Sequence, residues 1–159
     1  MEYLVQSGFL GTDALLYTDV SAIYLILLPV LMGLSISFAM KVRFKSHRLS
    51  QTILLLLAII ALASFNYGIR IESTLAGLMA GRSIHPSNAS FIVMAHTIFS
   101  VLLLVLWIST LLFASADRRR RALPGLYSSS HKTAGRRVFL VALFHAFSMA
   151  YCYWMIYIA

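Results

Sequence analysis

Five histidines, one cysteine and seven methionines supply the metal-ligating and proton-carrying side chains of this chain. One of them, His96, lies inside FIVMAHTIFSVLLLVLWISTLLFA (91–114), a run otherwise apolar enough for lipid. His96, Ser100, Trp107 and Thr110 fall within about 40° of one another on a helix of period 3.6 and make one face. Further on, His145, Met149 and Cys152 share a second face, with Ser148 at its edge and His131 on nearly the same line. Imidazole, thiolate and thioether together favour copper(I), so His96, Cys152 and Met149 form a candidate metal set. His47, His96, His131 and His145 are candidate ligands of a cofactor; haem b, copper and no cofactor at all stay open. Polar side chains inside a membrane usually face the bundle interior. Ser100, Trp107, Asn66, Arg136 and Tyr153 are therefore expected to face the interior or a partner. The plainer expectation for each histidine is a hydrogen bond to a neighbouring helix.

No catalytic constellation is visible. There is no pair of carboxylates, and Cys152 has no base on its own face except His145, two turns away. An enzyme acting alone is not expected.

The elements that must position these residues are membrane helices. Of the 159 residues, 60% are hydrophobic and 11% charged, against about 25% charged in a soluble domain. Four windows of about twenty apolar residues stand out: Ser21–Met40, Leu49–Tyr67, Ser90–Ala114 and Val138–Ile158. The chain reads as one all-α membrane domain, a four-helix bundle covering 1–159. Lys41, Arg43, Lys45 and Arg48 fill the loop at 41–48. Arg118 to Arg121, Lys132, Arg136 and Arg137 crowd the loop at 117–137. Eleven of the thirteen basic residues thus fall on one side. The positive-inside rule assigns that side to the cytoplasm and leaves both termini outside. The formal charge of +8 is a topology signal and a lipid-headgroup contact, not a nucleic-acid surface.

The first twenty residues carry Glu2, Asp13 and Asp19 and no basic region, so a short outer interfacial segment is expected rather than a cleavable signal. Pro29, Gly33 and Ser37 recur every four residues and suggest close packing of the first helix, with a bend at Pro29. A short interfacial helix is expected over Thr74–Met79. Ser87 or Asn88 is the expected N-cap of the third helix, and Ser129 or Ser130 that of the fourth. Tyr151, Tyr153, Trp154 and Tyr157 suggest an aromatic belt at the outer interface. A single cysteine allows no intrachain disulfide, and the sequon Asn88-Ala89-Ser90 reads as chance.

Depth separates the histidines. Counted from the window ends, His96 lies roughly 8 Å below the outer boundary and His145 roughly 10 Å above the inner one. In a core of about 30 Å they then differ by roughly 12 Å, a poor arrangement for two ligands of one haem. His96 and Cys152 come out at similar depth. His47 and His131 both reach the inner boundary, where they can meet.

The stretches GFLGT (8–12), SHR (46–48), FNYGIR (65–70), AHTIFSVLLLVLW (95–107) and HKTAGRRVFLVALFHAFSMAYCYWMIYIA (131–159) together resemble the YozB/CtaM-like family of bacterial four-helix membrane proteins. The likeness lies in order and spacing from Gly8 to the end. The family's recurring histidines match His47, His96 and His131, and its late tyrosine matches Tyr153. Asn66 and Gly68 stand where relatives carry acidic residues, and His145 is an addition. The resemblance implies a bacterial inner-membrane protein that builds or supports haem-copper terminal oxidases, an accessory or assembly role beside other respiratory subunits. Two rival expectations are a small b-type cytochrome or quinone-binding anchor subunit, and a purely structural subunit.

Overall fold

A computed structural model describes residues 8–72, 77, 85–126 and 128–159. Four long helices follow in order: α1 (Leu16–Met40), α2 (Phe44–Glu72), α3 (Pro86–Arg119) and α4 (Ser128–Tyr157). All four are long and apolar enough to cross a membrane. They run up and down. One end holds residues 8–15 and the C-terminal end of α4; the other holds the basic connections 41–43 and 120–126. The expected helix over Thr74–Met79 lies outside the described residues, apart from Gly77.

Helix α1 packs along α2 and α4, and α4 packs along α3; the seam between α2 and α3 is the thinnest. The outward faces carry large apolar side chains, among them Met40, Phe113 and Phe147, each at least 70% exposed. Such a girdle is stable in lipid and would aggregate in water. The interior divides into two apolar clusters. At the terminal end Leu25, Leu62, Phe65, Met149, Tyr153 and Ile156 pack together. Toward the basic end Leu28, Met32, Leu55, Leu103, Trp107 and Val138 do so.

Several sequence expectations are corrected by the packing. Residues 16–20 belong to α1 rather than to an interfacial segment; of the described residues before it, 8–15 lie outside the helix, folded back on the bundle end. Of the Pro29-Gly33-Ser37 stripe, Pro29 is buried, while Gly33 and Ser37 are only half-buried. A methyl group at Gly33 would meet nothing within 4 Å. The buried line runs through Thr18, Ala22, Leu25, Leu28, Met32 and Ser35. Helix α3 starts at Pro86 with His85 as its cap, one turn ahead of Asn88, because proline suits the first helical position. Helix α4 starts at Ser128, so Ser129 and Ser130 lie inside its first turn. The aromatic belt divides in two: Tyr151 and Trp154 stack outward at 5.7 Å, while Tyr153 and Tyr157 are buried.

Both basic-end helix stops use the left-handed region. Val42 and Arg121 each have φ of 59°. Arg43 N–H bonds to Phe38 O and Val42 N–H to Ala39 O, with the same pair of bonds around Arg121. These are Schellman endings, which satisfy the last free carbonyls of α1 and α3.

Gly68 of α2 packs directly against side chains at the start of α1. A Cβ there would lie 2.6 Å from Thr18 Oγ1 and 3.1 Å from the Tyr17 ring. The lack of a side chain at Gly68 is thus a space requirement in this chain. Gly68→Ala is expected to lower stability by about 1–3 kcal/mol through overpacking, read from thermal unfolding in detergent, whereas Gly33→Ala leaves the melting point essentially unchanged.

Candidate functional site

The interior polar groups form levels down the bundle. At the terminal end Asp19, in the first turn of α1, is fully buried. Its Oδ2 accepts from Leu10 N–H at 3.0 Å, and its Oδ1 accepts from Tyr153 Oη. The phenol has one hydrogen and gives it to the carboxylate. The Thr12 hydroxyl, 2.9 Å away, therefore donates to Tyr153, and Ala14 N–H donates to Thr12. Gly8 completes the fold-back, since a Cβ there would fall on the Asp19 carboxylate. Sequence reasoning missed Asp19. The signal was present: the buried line of α1, followed backward from Leu25 through Ala22, reaches Thr18 and Asp19.

His96 and His145 meet where the two apolar clusters join. Their ring centroids are 4.8 Å apart and their planes 39° from parallel. The expected depth difference of roughly 12 Å is overturned by the antiparallel register of α3 and α4. Ser148 lies opposite His96, Cys152 Sγ approaches Ile92 O at 3.9 Å, and Phe144 stacks on Phe99 at 6.0 Å. In that register His145 is about one turn, roughly 5 Å, from the level of His96. The error came from taking Arg136-Arg137 as the inner boundary of the fourth helix. The helix continues to Ser128, and both arginines are exposed on its side. Long basic side chains reach the headgroups from within a helix.

The local network assigns the tautomer of His96. Ser148 Oγ donates to the His145 carbonyl at 2.8 Å, so it accepts from His96 Nδ1, 2.9 Å away. Ser100 Oγ donates to the His96 carbonyl at 2.8 Å and has no hydrogen left for His96 Nε2, 3.5 Å away. Nε2 therefore carries a lone pair that receives no hydrogen from Ser100. Phe65 of α2 stands edge-on to the His96 ring at 6.4 Å. His145 is fully buried, and neither Nδ1 nor Nε2 has a hydrogen-bond partner among the described residues. An unpaired buried polar atom costs about 1–3 kcal/mol.

Toward the basic end, Trp107 Nε1 donates to Gln51 Oε1 at 2.9 Å across the thin α2–α3 seam. Gln51, also missed from sequence, is buried. At that end His47 and His131 come together as expected, with ring centroids 6.5 Å apart and planes at 76°. The Ser35 carbonyl accepts from His47 Nδ1 at 2.9 Å, and Ser35 Oγ lies 2.5 Å from Ser50 Oγ. Arg48, Ser115, Arg118 and Arg119 line an open cavity of about 370 Å³ between α2 and α3.

Of the other expected residues, Ser100, Trp107, Tyr153, Met149 and Cys152 are buried. Asn66 and Arg136 are exposed and not interior; the Asn66 amide donates to Leu62 O of its own helix at 2.8 Å. Thr110 is half-buried and likewise bonds within its helix. Met149 and Cys152 continue the His145 face toward the termini. Among the described residues no three of His, Cys, Asp and Glu converge as a metal-binding group.

Compared with family models, curated proteins and solved structures, the chain gives no match.

Leucine fills the His145 position without polar atoms. His145→Leu is expected to raise the stability of the cofactor-free protein by about 1–3 kcal/mol, read from thermal unfolding in mild detergent. A lower melting temperature would mean that the imidazole is satisfied in the folded chain.

Proposed function

We propose that this chain is a multi-pass accessory or assembly protein of a bacterial respiratory chain, serving the biogenesis or support of a haem-copper terminal oxidase and turning over no substrate itself. The observation that carries the reading is the pairing of inward histidines at two levels of a lipid-facing bundle, His96 with His145 and His47 with His131. Interior ionisable side chains are costly in a membrane and usually mark a working site. The resemblance to the YozB/CtaM-like family, carried by His47, His96, His131 and Tyr153, supplies the respiratory assignment. The asymmetry of Lys and Arg supports the orientation, basic loops in the cytoplasm and both termini outside. In that orientation Arg48, Arg118 and Arg119 face the anionic lipid phosphates of the inner leaflet.

A haem between His96 and His145 does not fit. Iron held by two imidazoles at metal–nitrogen bonds of about 2 Å places the ring centroids beyond about 6 Å, and the centroids here are 4.8 Å apart. The rival reading, a small b-type cytochrome or quinone-binding anchor subunit, has one observation in its favour: His47 and His131 stand at 6.5 Å on different helices.

The test is genetic and spectroscopic. Deleting the chromosomal copy is expected to lower the oxidase haem absorbance and oxidase-dependent oxygen uptake of the membranes. The intact chain should restore both; a His47→Ala/His96→Ala double variant that accumulates normally should not. Full restoration by the double variant would leave only a structural subunit. A Soret band on the purified chain, lost in His47→Ala, would favour the cytochrome.

A further inference from the structure

An imidazole always presents both a donor and an acceptor when neutral, and a fully buried one normally has both satisfied. His145 has neither satisfied within the described chain. The ring facing it, His96, offers an Nε2 lone pair that receives no hydrogen from Ser100, because Ser148 takes the Nδ1 proton and Ser100 gives its hydrogen to a carbonyl. Two neutral nitrogen donors thus lie side by side, at 4.8 Å between centroids, in the buried interior of the bundle. Orphaned buried polar atoms of this kind call for an explanation, and a bound ion is one that neutral nitrogen donors can supply.

We propose that His96 and His145 form a binding site for a soft monovalent cation, copper(I). Three observations select that ion. First, metal–imidazole bonds of about 2 Å meeting at a bent, roughly tetrahedral angle place two ring centroids about 5 Å apart, close to the present spacing, whereas the opposed ligands of a haem need a wider one. Second, the ligands are neutral. The buried carboxylate, Asp19, lies about two turns toward the termini and is held by Leu10 and Tyr153. A divalent ion would bring two uncompensated charges into a low-dielectric interior, which is far costlier than one. Third, the donors next along the same face of α4 are soft. Met149 lies one turn beyond His145 and Cys152 two, both buried, and thioether, thiol and imidazole suit copper(I). The Ser148 hydroxyl on His96 Nδ1 then acts as the outer support that fixes a ligating histidine's tautomer and orientation.

The site deepens the respiratory reading and rests on it for its biological setting, but copper binding by the purified chain and oxidase supply in the cell are separate readouts, and either can fail alone. The experiment is an anaerobic titration of the full chain in mild detergent with copper(I), in competition with a chromophoric copper(I) chelator. One copper(I) per chain is expected, with X-ray absorption showing nitrogen ligands at about 2 Å. Ser148→Ala is expected to weaken binding by roughly 10–100-fold. His145→Leu and His96→Leu should each weaken it by more than that. Asn66→Ala, at an exposed residue that bonds only within its own helix, should leave it unchanged. Circular dichroism shows that each variant keeps its helices, and His145→Leu removes the ligand without introducing an unpaired group. No stoichiometric uptake, which would leave a bridging water as the occupant, overturns the proposal. So does uptake that survives both leucine variants.

Discussion

Hydrocarbon offers no hydrogen-bond partner, so a hydroxyl or imidazole placed mid-helix has to be satisfied by its own helix or by the one it faces. In this bundle that constraint fixes the antiparallel register of α3 against α4. Ser148 can serve His96 only if the two helices are aligned as they are, and Phe144 then falls on Phe99. The same alignment brings His145 beside His96 and leaves its ring nitrogens without a hydrogen-bond partner among the described residues. A slip of one turn would break the serine contact and the Phe99–Phe144 stack together. The polar groups therefore specify the packing more narrowly than the surrounding leucines and alanines, which would accept several registers.

The other levels work by the same rule with different parts. Asp19 is buried because backbone from the fold-back segment and a phenol from α4 both reach it, tying the N-terminal residues to the end of the chain. Gln51 and Trp107 close the seam where α2 and α3 touch least. His47 is held through Ser35, which links the start of α2 to α1. Each of these pairs is complete. The exception is His145, which makes the middle level the place to look for an occupant rather than for structure alone.

Much of the architecture was legible in the sequence, because lipid demands long apolar windows and such windows are hard to mistake. The inward faces of the third and fourth helices were legible as well, since helical period alone brings His96, Ser100 and Trp107, or His145, Met149 and Cys152, onto one line. Depth was not. Arg136 and Arg137 look like a membrane boundary, yet arginines on the side of a helix can snorkel, and the helix runs on past them to Ser128. Asp19 was hidden because an acidic residue near an apolar window reads as the edge of the span, and its donors come from the fold-back of residues 8–14 and from Tyr153 at the far end of the chain. Asn66 misled in the opposite sense. A polar residue in a helix need not face inward when its amide can return to a carbonyl one turn back. The site itself was half legible: its residues were on the page, but their meeting depended on a register that only a cross-helix hydrogen bond defines.

The most direct test of the account is whether the His96 and His145 rings touch in a bilayer with the tautomer the network assigns. Magic-angle-spinning nitrogen NMR on the histidine-labelled, metal-free chain in lipid vesicles reads both. The account predicts a cross-peak between the two rings, lost in His145→Leu, and a His96 ring protonated at Nδ1 with a bare Nε2. Absence of that cross-peak, or a His96 proton on Nε2, would contradict the register and the two-imidazole site built on it.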